Sequence, residues 1–331
     1  MSTTSAQDFL FKRIKEMLPS DESMVDIISE VLHVSSDSAY RRIRGETPIL
    51  LDEAHLLCQH FHFSIDNLFN LKPGAVLFQS TRINNQQYSY EKYISDLLDL
   101  IRHINSYKQK DIIYLTKDVP IIHNFYFSPL IAFRYFFWMK SILQHPDFDN
   151  KGFTMNCISP EIESLSKELA KEYIKVPSVE IWNTECINST ISQIEFCRDS
   201  GFFSSVADVK IIYEALEETI LHIKAQAEAG KKFMPKEESM SKTGNFQFFY
   251  NRVILGDNTI LINTDGTRSA FLNYDVLNYM STRDETFCSQ CYEDISRLMR
   301  KSTLISQTSE KQRNIFFNIL LSKITDRKKN L

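Results

Sequence analysis

The stretch VSSDSAYRRIRGET, residues 34–47, holds three arginines within four positions, directly before a glycine. A serine just before a helix accepts a hydrogen bond from one of the first free amides, and Ser35 stands in that position. Glycine often follows the last helical turn because it adopts the left-handed conformation without strain, as Gly45 would here. The stretch therefore predicts a short, polar, basic helix over residues 36–44.

Four further short helices are predicted around this one from apolar periodicity and helix-start residues. They cover residues 9–18, 24–32 and 50–61 and a segment that begins at Ser64. Five helices in so short a stretch predict a compact all-α domain. Lys72, Pro73 and Gly74 then interrupt the pattern, so we predict an N-terminal domain over residues 1–72 and a second domain over residues 73–331.

The second domain has a mixed pattern. Apolar residues recur with helical spacing from Tyr90 to Ile104, which predicts either a dimerisation helix or an ordinary core helix. Residues 111–127 are predicted to be extended on both sides of Pro120. Further helices are predicted over residues 133–143, 159–174, 188–196, 206–229, 283–299 and 309–324.

The strongest β signal lies between residues 252 and 274. Two β-branched runs flank Gly256-Asp257-Asn258, and Asp265-Gly266 turns the chain into a third run, which predicts an antiparallel β-meander. The predicted fold is therefore mainly α with a smaller β part: a five-helix N-terminal domain and a larger α+β domain that contains the meander.

Composition limits the class of protein. The chain has 331 residues, is 43% hydrophobic, and has a formal net charge of −4, so nucleic-acid binding would have to come from a local basic patch. The amino terminus lacks a signal-peptide pattern, and the longest apolar patch is interrupted by Ser128, Pro129 and Arg134. Six scattered cysteines are atypical of secreted domains, so we expect a cytoplasmic location and no membrane partner.

Three segments of the first domain, MVDIISEVLHV, SSDSAYRRIRG and LLDEAHLLCQHFHFSIDNLF, together carry a family pattern. Over residues 7–71 they resemble the λ-repressor-like helix-turn-helix family of transcription regulators, also called Cro/CI or XRE-type. The family's apolar, small and glycine positions are matched by Ile28, Ser29, Leu32, Val34, Ala39 and Gly45. The resemblance implies a helix-turn-helix fold, a recognition helix at about residues 35–44 and double-stranded DNA as the partner.

The predicted recognition helix supplies the candidate site. Ala39 and Ile43 are four residues apart, so they share one face and anchor the helix, while the other faces remain polar. Arginine binds guanine bidentately, and residues near the start of such a helix reach base edges. The candidates for base contacts are Ser36, Asp37, Ser38 and Arg41, and the candidates for phosphate contacts are Tyr40, Arg42 and Arg44.

Two features depart from the family pattern. His33 occupies a turn position where the family often has glycine, and a left-handed backbone there would cost some free energy. Residues 1–72 contain seven basic and eleven acidic side chains, a net charge of −4, which weakens DNA binding by a single module. A homodimer on two half-sites, with Lys12, Arg13 and Lys15 flanking the arginine cluster, would compensate.

Other chemical signals are weaker. A single pair, Cys288 and Cys291, does not make a zinc site, and His55, His60 and His62 belong to packing segments, so we predict no metal and no cofactor. Residues 125–138 are rich in aromatic side chains and are predicted to be core. Alternatively, they line a pocket in which Arg134 and Lys140 bind an anionic ligand.

The sequence therefore predicts a sequence-specific DNA-binding transcription regulator and not an enzyme. The second domain would serve dimerisation or the sensing of a small-molecule or protein effector. Two alternatives stay open: a protein-interaction adaptor that uses the helical module as a docking surface, which the acidic balance favours, and an enzyme that the module directs to nucleic acid.

Overall fold

The structure is a computed structural model that describes residues 5–18, 22–61, 63–65, 75–80, 89–236, 244–253, 256–274 and 278–331. The chain is mainly α-helical with a smaller β part. It divides into two compact units, Met1–Leu77 and Phe78–Leu331. The predicted boundary at residue 72 and residues 66–69 of the predicted fifth helix lie outside the described residues.

The first unit is built from short capped helices. They are α1 (Ala6–Met17), α2 (Met24–Leu32), α3 (Ser36–Ile43) and α4 (Leu51–Phe61). The serine hydroxyls of Ser5, Ser23 and Ser35 each accept a hydrogen bond from the backbone three residues on, which satisfies one free amide at the start of α1, α2 and α3. The helices enclose a core of Leu10, Phe11, Ile14, Ile28, Leu32, Ala39, Leu57 and Phe61.

The second unit is built on a mixed sheet, whose order among the described residues is β1-β7-β6-β5-β2-β3-β4-β8. The strands are β1 (Gln79–Ser80), β2 (Lys110–Leu115), β3 (Ser178–Trp182), β4 (Phe246–Tyr250), β5 (Thr259–Thr264), β6 (Thr267–Asn273), β7 (Tyr279–Thr282) and β8 (Thr303–Leu304). Strands β2, β3 and β4 are parallel to one another, and all other neighbours are antiparallel.

Helices pack on the sheet to form two apolar clusters. They are α5 (Tyr90–Ser106), α6 (Ser128–Phe137), α7 (Pro160–Tyr173), α8 (Asn188–Asp199), α9 (Val206–Ala229), α10 (Glu285–Arg300) and α11 (Glu310–Lys329). The larger cluster joins alternate sheet residues such as Ile112 and Phe248 to α5–α9 and α11. Helix α10 contributes Cys288 and Ile295 to the smaller cluster, which contains Ile113 and Ile181 of the sheet.

Several sequence predictions differ from this architecture. The predicted strand after Pro120 is instead a 3-10 helix, Ile121–Tyr126, because the chain turns there to pack on α7. Strands β3 and β4 were not predicted. Residues 252 and 253 of the first predicted meander run belong to no strand, and residues 254 and 255 lie outside the described residues. Strand β5 pairs with β2 as well as β6, so its second neighbour comes from a distant part of the chain.

The aromatic segment and the apolar helices are internal to the unit. Phe125, Phe133 and Phe136 are buried in the larger cluster, in agreement with the prediction of a core segment. Helix α6 begins at Ser128, earlier than predicted, and continues as a π-helix over Trp138–Ile142. None of the helices in the described part of the chain combines the length and hydropathy needed to span a bilayer.

Candidate nucleic-acid interface

The turn between α2 and α3 is held by a left-handed residue. His33 has φ 53° and ψ 43°, a left-handed conformation that non-glycine residues rarely adopt. The Ser29 hydroxyl donates to the Val34 carbonyl at 2.6 Å, and the Val34 amide donates to the Ser29 carbonyl at 3.0 Å. The small side chain of Ser29 therefore closes the turn with its own hydrogen bond and sets where α3 starts.

Helix α3 is anchored on one side. Ala39 is 0% exposed, and Ile43 is partly buried against the same core. Since the remaining side chains of this short helix are polar or carry a hydroxyl, one face is in the core and the others are available for contact.

The segment after α3 is fixed by a residue that sequence reasoning missed. The Gln7 side-chain amide of α1 donates to the carbonyls of Arg42 and Thr47 at 2.6 and 2.8 Å. Its carbonyl oxygen accepts from the Ile49 amide at 3.0 Å. Gln7 thus satisfies three backbone groups at the end of α3, where Gly45 has φ 74°. No local pattern around position 7 indicates this role, because its partners lie at least 35 residues away.

Arg42, which the sequence predicts to contact a phosphate, is engaged inside the first unit. Its guanidinium donates to the Glu53 carboxylate of α4 through Nε and Nη2, the latter at 2.7 Å, and Nη1 donates to the Ser38 carbonyl at 3.2 Å. The side chain is 14% exposed. The hydrogen bond raises the pKa of Arg42 and lowers that of Glu53. Arg42 therefore ties α3 to α4 and has little surface left for DNA.

The other basic candidates remain on the surface. Arg41 is 59% exposed, and its Nε lies 3.3 Å from the Asp37 carboxylate one turn earlier. Arg44 is similarly exposed, and its Nε lies 3.4 Å from the Glu46 carboxylate. Because exposed ion pairs contribute only about 0.2–1 kcal/mol, a phosphate or a guanine edge can displace these carboxylates at small cost.

The remaining candidates share the surface of α3 with these arginines. Ser36, Asp37 and Tyr40 are exposed, and Ser38 is half-buried. The Arg44 guanidinium carbon lies 5.5 Å from the centre of the Tyr40 ring, a cation–π distance that holds the two side chains together. Lys12, Arg13 and Lys15 are exposed on α1, a helix that contacts α3.

The alternative site at Arg134 and Lys140 takes a different form. Arg134 is buried, its Nε donates to Asn124 at 3.3 Å, and burial lowers its pKa to about 10. The Lys140 ammonium instead donates to three backbone carbonyls, those of Phe148, Asp149 and Lys151. Since the ammonium of Lys140 is already satisfied, the two cations do not form one anion pocket.

Possible metal ligands are scattered over the residues that the structure describes. These residues contain no group of three or more His, Cys, Asp or Glu side chains that could hold a metal ion. His55 and His60 are exposed on α4, and His62 lies outside the described residues. Cys288 and Cys291 lie on α10 as free cysteines, and burial raises the pKa of both thiols.

Comparisons with known proteins give no relative. No family model, no curated protein and no solved structure matches the chain.

Proposed function

We propose that this protein is a sequence-specific regulator of transcription that inserts α3 into the major groove of double-stranded DNA. One observation carries the proposal. Helix α3 has a fully buried Ala39 on its inner face, while Arg41 and Arg44 stand exposed among short polar side chains outside. A helix of that kind fits the major groove, which admits one α-helix. Side chains at the amino-terminal end of such a helix reach the base edges in the groove.

The proposal gives each exposed side chain a task. Arg41 exchanges the Asp37 carboxylate for a base edge, with guanine as its best bidentate partner. Ser36, Asp37 and Ser38 reach base edges near the start of the helix, and Tyr40 and Arg44 contact phosphates. Arg42 is left out of the contact set because it binds Glu53.

The second unit completes the regulator. The acidic balance of residues 1–72 makes a single module a weak DNA binder, so the second unit would hold two copies on half-sites about 34 Å apart. Effector binding to the second unit would then change the spacing or the population of paired modules. In this proposal the protein binds and does not catalyse.

The test is a selection from random-sequence duplex DNA with the full-length protein, followed by fluorescence anisotropy on the enriched sequence. We expect one enriched palindrome and a loss of at least about 30-fold in affinity for Arg41→Ala, because one bidentate pair of about 1–3 kcal/mol is lost on each of two half-sites. The matched control is Arg297→Ala, since Arg297 is 60% exposed and pairs with Asp294 on helix α10. No enriched sequence, or equal losses in both variants, would contradict the proposal.

The adaptor stays a second candidate because of one surface feature. Leu50 and Leu51, at the start of α4, are 62% and 80% exposed, and large aliphatic side chains exposed together are typical of protein contacts. An adaptor predicts no enriched DNA sequence in the same selection, so one experiment separates the two candidates.

A further inference from the structure

The second unit contains a set of ionisable side chains that are completely buried. We call His123, Glu180 and Lys232 the buried charge cluster, since each is 0% exposed. The Glu180 carboxylate of β3 accepts from His123 Nε2 at 3.0 Å, from the Tyr173 hydroxyl at 2.8 Å and from Trp182 Nε1 at 2.9 Å. Both carboxylate oxygens are therefore already bound by neighbours on the sheet, the 3-10 helix and α7.

Lys232 lies beside this group without sharing its hydrogen bonds. Its ammonium is 3.6 Å from the centre of the Tyr173 ring and, within the part of the chain that the structure describes, makes no hydrogen bond. The Lys232 amide donates to the Gly244 carbonyl, which fixes the backbone just after the αL residue Gly230 that ends α9. The ammonium is thus held in the interior with three donors unused.

Two further atoms of the same neighbourhood are unsatisfied. His123 Nδ1 and Gln226 Oε1 are buried and have no hydrogen-bond partner among the described residues. Gln226 Nε2 donates to the carbonyl of Phe233, the residue next to Lys232, at 2.7 Å. Because a buried polar atom without a partner is unfavourable, the unused donors of Lys232 indicate a bound acceptor group.

The charges of the cluster do not balance when both bases are protonated. One carboxylate faces two bases, so protonated His123 and Lys232 together with ionised Glu180 leave one positive charge in the interior. Burial alone would raise the pKa of Glu180, but the charge and hydrogen bond of His123 and the charge of Lys232 lower it. Burial lowers the pKa of Lys232 to about 7, so its ammonium is half formed near neutrality.

The other titratable groups around the cluster do not supply the missing negative charge. Burial lowers the pKa of His222 on α9 to about 4, so His222 is neutral. Burial raises the pKa values of Tyr126 and Tyr173, which keeps both phenols protonated. These groups therefore add no negative charge to that of Glu180.

We propose that the buried charge cluster binds a small carboxylate anion, with Lys232 Nζ as its donor. The rings of Tyr126, Tyr173 and Trp182 surround the imidazole of His123 at centroid distances of 5.7, 6.0 and 5.7 Å. The proposal rests on the contacts of the second unit alone and does not require that the protein bind DNA.

Proton uptake is the signature of this site. The anion favours the protonated form of Lys232, so binding raises the pKa of Lys232. At about pH 8, where most Lys232 side chains are neutral without the anion, each binding event takes up close to one proton. At about pH 6 the same event takes up almost none from Lys232.

The experiment is calorimetry on the full-length protein without DNA. Sodium formate, acetate and glycolate are titrated at about pH 8 in two buffers of different ionisation enthalpy, with sodium chloride at matched ionic strength as the control. We expect saturable binding of at least one carboxylate, with uptake near one proton. Lys232→Met should lose at least tenfold in affinity, and Lys231→Met, at the half-buried neighbouring position, should retain it.

Two results would overturn the proposal. One is the absence of saturable carboxylate binding, or binding without proton uptake, in the wild-type protein. The other is undiminished binding by a folded Lys232→Met variant. The wild-type proton count decides the question even if that variant fails to fold.

Discussion

Replacing Lys232 by methionine should stabilise the second unit and flatten its response to pH. Methionine keeps much of the length of the chain but removes an ammonium that is 0% exposed and has no hydrogen bond within the described residues. Burial lowers the pKa of Lys232 from 10.5 to about 7. At about 1.36 kcal/mol per pKa unit, this corresponds to a cost on the order of 5 kcal/mol for keeping the charged form in the folded state.

The sign of the pH dependence follows from the two states. The unfolded chain keeps this lysine protonated up to its ordinary pKa of 10.5, whereas the folded chain releases the proton near pH 7. Between these values the unfolded state binds more protons, so wild-type stability rises with pH across that window. Below about pH 7 the full cost remains. Loss of the contact with Tyr173 reduces the gain, so we expect Lys232→Met to add about 2–5 kcal/mol near pH 6 and little near pH 10.

Urea unfolding in carboxylate-free buffers measures this directly. Trp138 and Trp182 are the two tryptophans of the chain and both belong to the second unit, so their fluorescence follows that unit. The control is Lys231→Met at the neighbouring position. A Lys232→Met variant less stable than the wild type near pH 6, or one whose stability still climbs between pH 7 and 10 as the wild type's does, would refute the reasoning.

Three further predictions concern the first unit. Arg42→Met should cost about 1–3 kcal/mol of unfolding free energy because it leaves the Glu53 carboxylate without its partner. The control Arg44→Met should change the unfolding free energy by no more than about 0.5 kcal/mol. Thermal unfolding followed by circular dichroism compares the two variants, and equal losses would show that the pair with Glu53 is unimportant. His33→Gly should gain about 1 kcal/mol by relieving a left-handed backbone, and a loss in urea unfolding would contradict that conformation. If two copies each neutralise two phosphates, a rise from about 50 to 200 mM salt should weaken DNA binding roughly 100-fold. A DNA affinity that does not change with salt concentration would exclude the proposed contacts.

Most helix positions could be predicted because their signals are local. Ser35 before α3, Ser159 before α7 and Ser205 before α9 each accept an amide hydrogen bond in the first turn, as helix-start chemistry requires. Gly230 ends α9 in the left-handed conformation, as the sequence indicates. These helix-start and helix-end signals involve atoms within four residues of one another, so a short window of sequence contains them.

Strands β3 and β4 could not be predicted in this way. Strand β3 has the sequence SVEIW, in which a glutamate interrupts the apolar run. The sequence pattern therefore does not indicate the buried strand that the structure shows. Glu180 is tolerated there only because His123, Tyr173 and Trp182 donate to its carboxylate. Two of those donors come from other elements, and their approach depends on the parallel pairing of β3 with β2 and β4.

The two candidate sites differ in what the sequence can reveal about them because they use charge in opposite ways. The arginines of α3 are adjacent in sequence and exposed, and their carboxylate partners are held weakly enough for DNA to replace them. His123, Glu180 and Lys232 are separated by more than fifty residues each and act on one another only after the chain has removed them from water. Removal from water shifts their protonation equilibria, so we expect ligand exchange at the second site to be coupled to protons and exchange at the first site to salt.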